Sequence, residues 1–223
     1  MTVNSLLLEE ATLDDIPALT ELWYAAFTDP GVRYLWPDTP SIRNWWNVAN
    51  REDFINKSFQ HYIKIIDPSS KDDQGRPRIA AYAKWDLATP KERGPRYPPW
   101  NEDMPIQACD AFIERLEKAR QQVMAGQKKH YYLDTLVTHP DYQRRGAGSM
   151  LVKWGCDLAD EAGVGIYVDA SKAGAPLYQK FGFTHKKLEG EGESDIVPMA
   201  RGIMSTEVIG ELRSWSIRSI IEE

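Results

Sequence analysis

The sequence predicts a mixed α/β domain of the α+β kind, with strands and helices interleaved around one sheet. Three observations carry this. Residues 131–138 form an apolar strand that runs through a glycine-bearing turn into an apolar-periodic helix at 146–162. Residues 61–66 and 78–86 read as two strands joined by a polar, turn-rich loop, the pattern of a hairpin. Residues 183–188 and 198–204 can pair antiparallel around a Gly/Glu-rich loop and close the sheet.

The remaining elements follow in order. Residues 6–11 predict a first strand, and Thr12 caps a helix whose capping-box acid is Asp15. Ile16, Leu19, Leu22, Trp23 and Ala26 lie at helical spacing, so that helix runs to about Phe27, where Asp29-Pro30-Gly31 ends it. Residues 36–40 predict a loop and 41–60 a second helix. Residues 67–75 are the hairpin loop. Pro90, Pro95, Pro98 and Pro99 predict an irregular insert near the substrate side, and 105–124 a further helix. Met150, Leu151, Trp154, Leu158 and Ala159 give the helix after the glycine turn its apolar face, and Gly163 stops it. A short buried strand at 165–170 and a short helix at 173–181 come next. Residues 206–223 carry apolar positions at helical spacing, including Trp215. One domain over 1–205 with a C-terminal helical extension is therefore expected, the extension packing on the domain or in a homodimer.

Composition excludes several classes. With 42% hydrophobic and 27% charged residues the chain reads as globular rather than disordered. A formal net charge of −6 argues against a general nucleic-acid or anionic-membrane binder, so any anionic ligand must be captured by local groups. Cys109 and Cys156 are too few for a disulfide framework, which points to a reducing compartment. No basic-then-apolar leader and no stretch of membrane-spanning length is present, so the cytoplasm is the default expectation, with the nucleus as the alternative. His61, His130, His139 and His185 lack companions at metal-ligand spacing, and no metal site is expected. The eight Trp and ten Tyr have two readings: core packing, or the wall of an aromatic acceptor pocket.

The turn carries the chemistry. Strand, glycine turn and helix in that order aim free backbone N–H groups and the positive end of a helix dipole at one spot. Gly146, Ala147 and Gly148 keep bulk away from it, as a phosphate cradle requires. An ordinary tight turn is the bland alternative. Gln143-Arg144-Arg145-Gly146-Ala147-Gly148 resembles the Gln/Arg-x-x-Gly-x-Gly/Ala signature of the GNAT superfamily of acyl-CoA-dependent N-acetyltransferases. Leu177-Tyr178 followed by Gly182-Phe183 is similar to a second motif of that family. Ser171 departs from the family's usual Asn, and Gly174 from its usual Ala.

The resemblance implies a mixed, mostly antiparallel central sheet flanked by helices, whose fourth and fifth strands splay apart. Acetyl-CoA is then the cosubstrate. Its pantetheine would lie between those strands, against backbone groups of Leu136, Val137 and Thr138. Its pyrophosphate would rest on Gln143, Arg144, Arg145, Gly146, Ala147, Gly148 and Ser149, and Ser171 would offer a hydroxyl. The family's tyrosine beside the acyl-CoA sulfur falls on Tyr178, as the acid for the departing thiolate. Some members place a carboxylate base on the fourth strand, and Asp134 is the only carboxylate there. Strand alternation puts Asp134 on one face with Tyr132 and Leu136. The expected activity is direct acetyl transfer to a primary amine, first of a small molecule. The other readings are a peptide or protein acetyltransferase, and an acyl-CoA sensor without turnover.

Overall fold

The computed structural model describes residues 6–188 and 195–203. The expected C-terminal helix at 206–223 and the Gly/Glu-rich loop at 189–194 lie outside them. Among the described residues one seven-stranded sheet runs in the order β1-β2-β3-β4-β5-β7-β6. Its strands are β1 (Leu7–Glu10), β2 (Gln60–Lys71), β3 (Pro77–Asp86), β4 (His130–Thr138), β5 (Gly165–Ser171), β6 (Thr184–His185) and β7 (Ile196–Arg201). Every neighbouring pair is antiparallel except β4–β5, which is parallel. This is the mixed, mostly antiparallel sheet expected.

Helices cover both faces. They are α1 (Ile16–Ala26), α2 (Pro30–Leu35), α3 (Pro40–Asn56), α4 (Ile106–Val123), α5 (Ala147–Ala162) and α6 (Ala175–Gln179). Side chains alternate across a strand, so each strand feeds two cores. Ile63, Ile65, Ala81, Ala83 and Trp85 face α5. Tyr62 and Tyr82 face the opposite side, with the aromatic cluster from α1, α2 and α3. Gly155 of α5 sits over Trp85, where any Cβ would overlap the indole ring. That close approach is why glycine stands in mid-helix despite its cost there.

Two elements differ from the sequence reading. Asp29-Pro30-Gly31 ends α1 but also starts α2, because the Asp29 carboxylate accepts from the Gly31 and Val32 N–H groups at 2.8 and 3.1 Å. Aspartate at the cap and proline in the first turn are helix-start signals as much as stop signals. The hairpin strand β2 reaches Lys71 rather than 66, with irregular register between Asp67 and Lys71 that polarity alone disguised as loop. At the N-terminus the expected capping box is present: the Asp15 carboxylate accepts from the Thr12 backbone N–H at 2.8 Å, opening a short 3-10 turn before α1.

Two irregularities in β4 shape the site. Its parallel pairing with β5 ends at Leu133 and Val168, after which β4 continues along β3 and β5 along β7. The strands therefore fork. Beside the fork, Lys84 pairs with Thr135 while Trp85 pairs with Leu133, so Asp134 is the extra residue of a β-bulge. A bulge reverses the side-chain alternation beyond it. Leu136 accordingly packs towards α5, and Val137 joins the aromatic side. The expectation that Asp134 and Leu136 share a face is corrected by this one inserted residue.

Candidate active site

The turn expected to cradle a phosphate is built as a helix entrance. A 3-10 turn at Pro140–Tyr142 leads into residues 143–146, which are exposed, and α5 starts at Ala147. Gly146 has φ +86°, and a Cβ placed on it would meet nothing within 4 Å. Glycine is needed there for the backbone, not for crowding within the protein. Arg144 also has positive φ, at 63°, the one non-glycine residue with it among those described. The first-turn amides of α5, from Ala147 through Ser149, have no acceptor within their own helix by its geometry. Ala147 turns its methyl into the core, so only its backbone can serve a ligand.

The flanking side chains are set from behind. Tyr142 is buried and donates its hydroxyl to Asp67 at 3.1 Å. Arg145 lies over the Tyr142 ring at 4.6 Å and is 3.8 Å from the same Asp67 carboxylate. Asp67 also accepts from Ser69 N–H and hydroxyl, which hold it below the ordinary carboxylate range. Arg145 is thus tethered at the cradle's edge, while Arg144 and Gln143 stand exposed.

Between cradle and fork, three expected residues come together. At Gly148 an added Cβ would stand 3.2 Å from Leu177, 3.7 Å from Thr138 and 3.8 Å from Leu136. The helix entrance, the end of β4 and α6 therefore meet. Ser171, at the end of β5, accepts from the Gly174 N–H at 3.0 Å, so its oxygen shapes the turn into α6 and its proton is left to donate. Tyr178 is buried, 5.7 Å ring to ring from Phe183. Burial raises its pKa well above 10, which keeps the phenol protonated.

Asp134 is held by cations. Arg96, from the proline-rich insert, approaches its carboxylate at 2.9 Å and donates to its carbonyl at 3.2 Å. Thr135 donates its hydroxyl to the carboxylate at 2.8 Å. Burial pushes the carboxyl up, but Arg96 and Lys84 outweigh it, and the pKa falls to about 2. A carboxylate with so little proton affinity is ill suited to take a proton from an amine at neutral pH. Lys84 in turn bonds Asp53 of α3, which also accepts from the Tyr62 hydroxyl. Sequence reasoning singled out neither Arg96 nor Lys84. The insert reaches Asp134, and it arrives there as a buried partner of the sheet.

The aromatic residues resolve mainly as packing. Trp23, Trp36, Trp45 and Trp46 are buried and pack against one another at tilted and edge-on angles, with Tyr97 and Trp100 of the insert against them. Trp45 donates to the Pro99 carbonyl at 2.8 Å and Trp100 to Asp110 at 2.7 Å. Arg96 lies 5.2 Å from the Tyr97 ring, so this apolar wall abuts the charged groups behind β4. Among the described residues no group of three or more His, Cys, Asp or Glu could hold a metal ion. Among them too, no helix is long and apolar enough to cross a membrane. Both cysteines are free and buried.

A parallel strand pair that forks beside a bulge, with a glycine-entered helix at its end, is the arrangement that the resemblance to acyl-CoA acyltransferases implies. The sequence model of the Acetyltransferase (GNAT) family matches residues 92–183, which span the insert, the fork, the cradle and Tyr178. Over these residues the chain is similar to the GNAT family of acetyltransferases. An acetyltransferase of Stachybotrys chartarum is 29% identical over 90 residues, 40% of this chain and 38% of that protein. The uncharacterized N-acetyltransferase YafP of Escherichia coli is 26% identical over 128 residues, 57% of this chain and 73% of its own length. The chain thus spans well under half of the first of these relatives. Among solved structures, arylalkylamine N-acetyltransferase 2 from Aedes aegypti superposes with a TM-score of 0.59 at 13% identity, over 90% of this chain and all of that one. The PaiA N-acetyltransferase from Thermoplasma acidophilum, in complex with coenzyme A, gives 0.51 at 10% identity, over 89% and 99%. At these identities the likeness speaks for the fold.

Proposed function

We propose that this protein transfers acetyl from acetyl-CoA directly to the primary amine of a small molecule, both substrates being bound together. The observation that carries this is the continuity of an open helix entrance with the edge of β4 beyond Leu133, where pairing with β5 has ended. A phosphate suits the entrance, because Gly146 leaves its approach clear and the first-turn amides are free to donate. An extended amide chain suits the fork, because unpaired strand edges bond such a chain as they would another strand. In this reading acetyl-CoA supplies an activated thioester. The backbone of 143–149 and Arg144 and Arg145 bind its phosphates, and Leu136, Val137 and Thr138 line its pantetheine. Ser171 offers its remaining proton to the cosubstrate. Tyr178, protonated and buried, gives a proton to the departing sulfur. The GNAT-type turn and the Leu-Tyr motif both occur in one chain, which supports turnover over mere sensing.

A small, partly apolar acceptor is favoured by the aromatic wall that adjoins the fork through Tyr97 and Arg96. The test is a panel of arylalkyl, aliphatic and polyamine substrates with acetyl-CoA, scored by released thiol. Turnover on small amines is the expected result. Turnover on peptides alone would assign a protein substrate instead, and acetyl-CoA binding with no thiol release would assign a sensor.

A further inference from the structure

Two aspartates mark the fork, each the next residue after the last β4–β5 pair: Asp134 on β4 and Asp169 on β5. Their surroundings are opposite. Asp134 faces the Arg96 guanidinium at 2.9 Å. Asp169 instead accepts from two phenols, Tyr132 of β4 at 3.1 Å and Tyr167 of its own strand at 2.7 Å. Those tyrosines are buried, at 2% and 0% exposure, while Asp169 is half-buried. Asp169 is therefore the least buried member of the trio. Both hydrogen bonds come from neutral donors, so they orient the group without neutralising it.

We propose that Asp169 is the residue that accepts the proton from the attacking amine, a role that rests on the acetyl-transfer reading above. The placement follows from that reading, since the thioester would lie in the fork and the acceptor amine must reach it there. In the step itself the amine nitrogen bonds the thioester carbonyl carbon and the C–S bond breaks. Asp169 takes one N–H proton, and Tyr178 gives one to the sulfur. Exchange with water then returns a proton to Tyr178 and removes one from Asp169. An ammonium acceptor first loses a proton to water, so one proton is released overall.

The electrostatics agree with the geometry. Burial raises the Asp169 carboxyl, and the bonds from Tyr167 and Tyr132, together with the charges of Arg96 and Arg120, pull it back only in part. Arg96 comes from the insert and already faces Asp134, and Arg120 of α4 is paired with Glu117. The balance leaves Asp169 above the ordinary aspartate range, where a base has proton affinity to use. Asp134, at about 2, has none to spare.

The experiment measures kcat against pH for the wild type, Asp169→Asn and Asp169→Glu on whichever amine turns over, with acetyl-CoA affinity measured by calorimetry. Asp169→Asn should lower kcat by about a hundredfold or more, leave acetyl-CoA affinity unchanged and abolish the rise of kcat on the acid side. Asp169→Glu should restore part of the rate. Carbon-13 NMR titration of the wild-type carboxyls, assigned with Asp169→Asn, should show Asp169 titrating above the ordinary range whether or not turnover is seen. An active wild type whose Asp169→Asn variant keeps the rate and pH profile overturns the proposal alone, as does an Asp169 carboxyl that titrates at or below the ordinary range. A wild type that binds acetyl-CoA but acetylates no amine sinks the acetyl-transfer reading, and this role with it.

Discussion

Replacing Asp134 by asparagine tests whether this carboxylate is chiefly an electrostatic anchor. Its side chain is 3% exposed and faces Arg96 at 2.9 Å, with Lys84 acting from the neighbouring strand. Its pKa falls from the ordinary 3.8 to about 2. At about 1.36 kcal/mol per pKa unit, the folded environment favours the charged form by roughly 2 kcal/mol. Asparagine removes that and also leaves a buried guanidinium without its counter-charge. Breaking a buried pair in this way costs about 3–5 kcal/mol. Against a total stability on the order of 5–15 kcal/mol, such a loss is readily measured. Urea denaturation at pH 7 should therefore show Asp134→Asn weaker by about 3–5 kcal/mol. The sign with pH is fixed as well. Because the folded pKa is depressed, the contribution is full above the unfolded value near 4 and is lost as pH falls towards 2. The gap between wild type and variant should narrow over that range. Adding Arg96→Met to Asp134→Asn should recover part of the loss, since no lone charge then remains buried. A loss under about 1 kcal/mol at pH 7, or a gap that does not change with acid, would refute the anchor.

Three further outcomes follow from the same geometry. Gly146→Glu should leave the fold intact, because nothing lies within 4 Å of the added Cβ, at a strain cost of about 1–2 kcal/mol for positive φ. Calorimetry should find its acetyl-CoA binding abolished, and retained binding would remove the phosphate from this turn. Gly155→Ala should lower stability by about 1–3 kcal/mol by thermal melting, because its methyl overlaps the fully buried Trp85 ring. Tyr178→Phe should lower kcat with acetyl-CoA affinity unchanged, and an unaltered kcat would show that the phenol gives no proton to the sulfur.

The candidate site was legible in unequal parts. The cradle is local: Gly146, Gly148 and the helix they open are contiguous in sequence, and backbone chemistry fixes what such a turn presents. Tyr178 was reachable because a short motif carries it. Arg96 and Lys84 were not, because their partner Asp134 lies 38 and 50 residues away in chain and only the sheet brings them together. Asp169 had a faint signal, an acid at the end of a short apolar strand, but nothing local says that two tyrosines hold it.

The sequence by itself determined the class of fold and pointed to the candidate donor side, because periodicity, capping and a glycine turn are short-range properties. Only the tertiary structure distinguished the two aspartates at the fork. One bulged residue reversed the alternation along β4, and burial beside Arg96 made Asp134 a fixed charge. The same fork left Asp169 hydrogen-bonded to phenols rather than ion-paired. Proton affinity depends on neighbours and desolvation, and both come from strands and loops that meet only when the chain is folded.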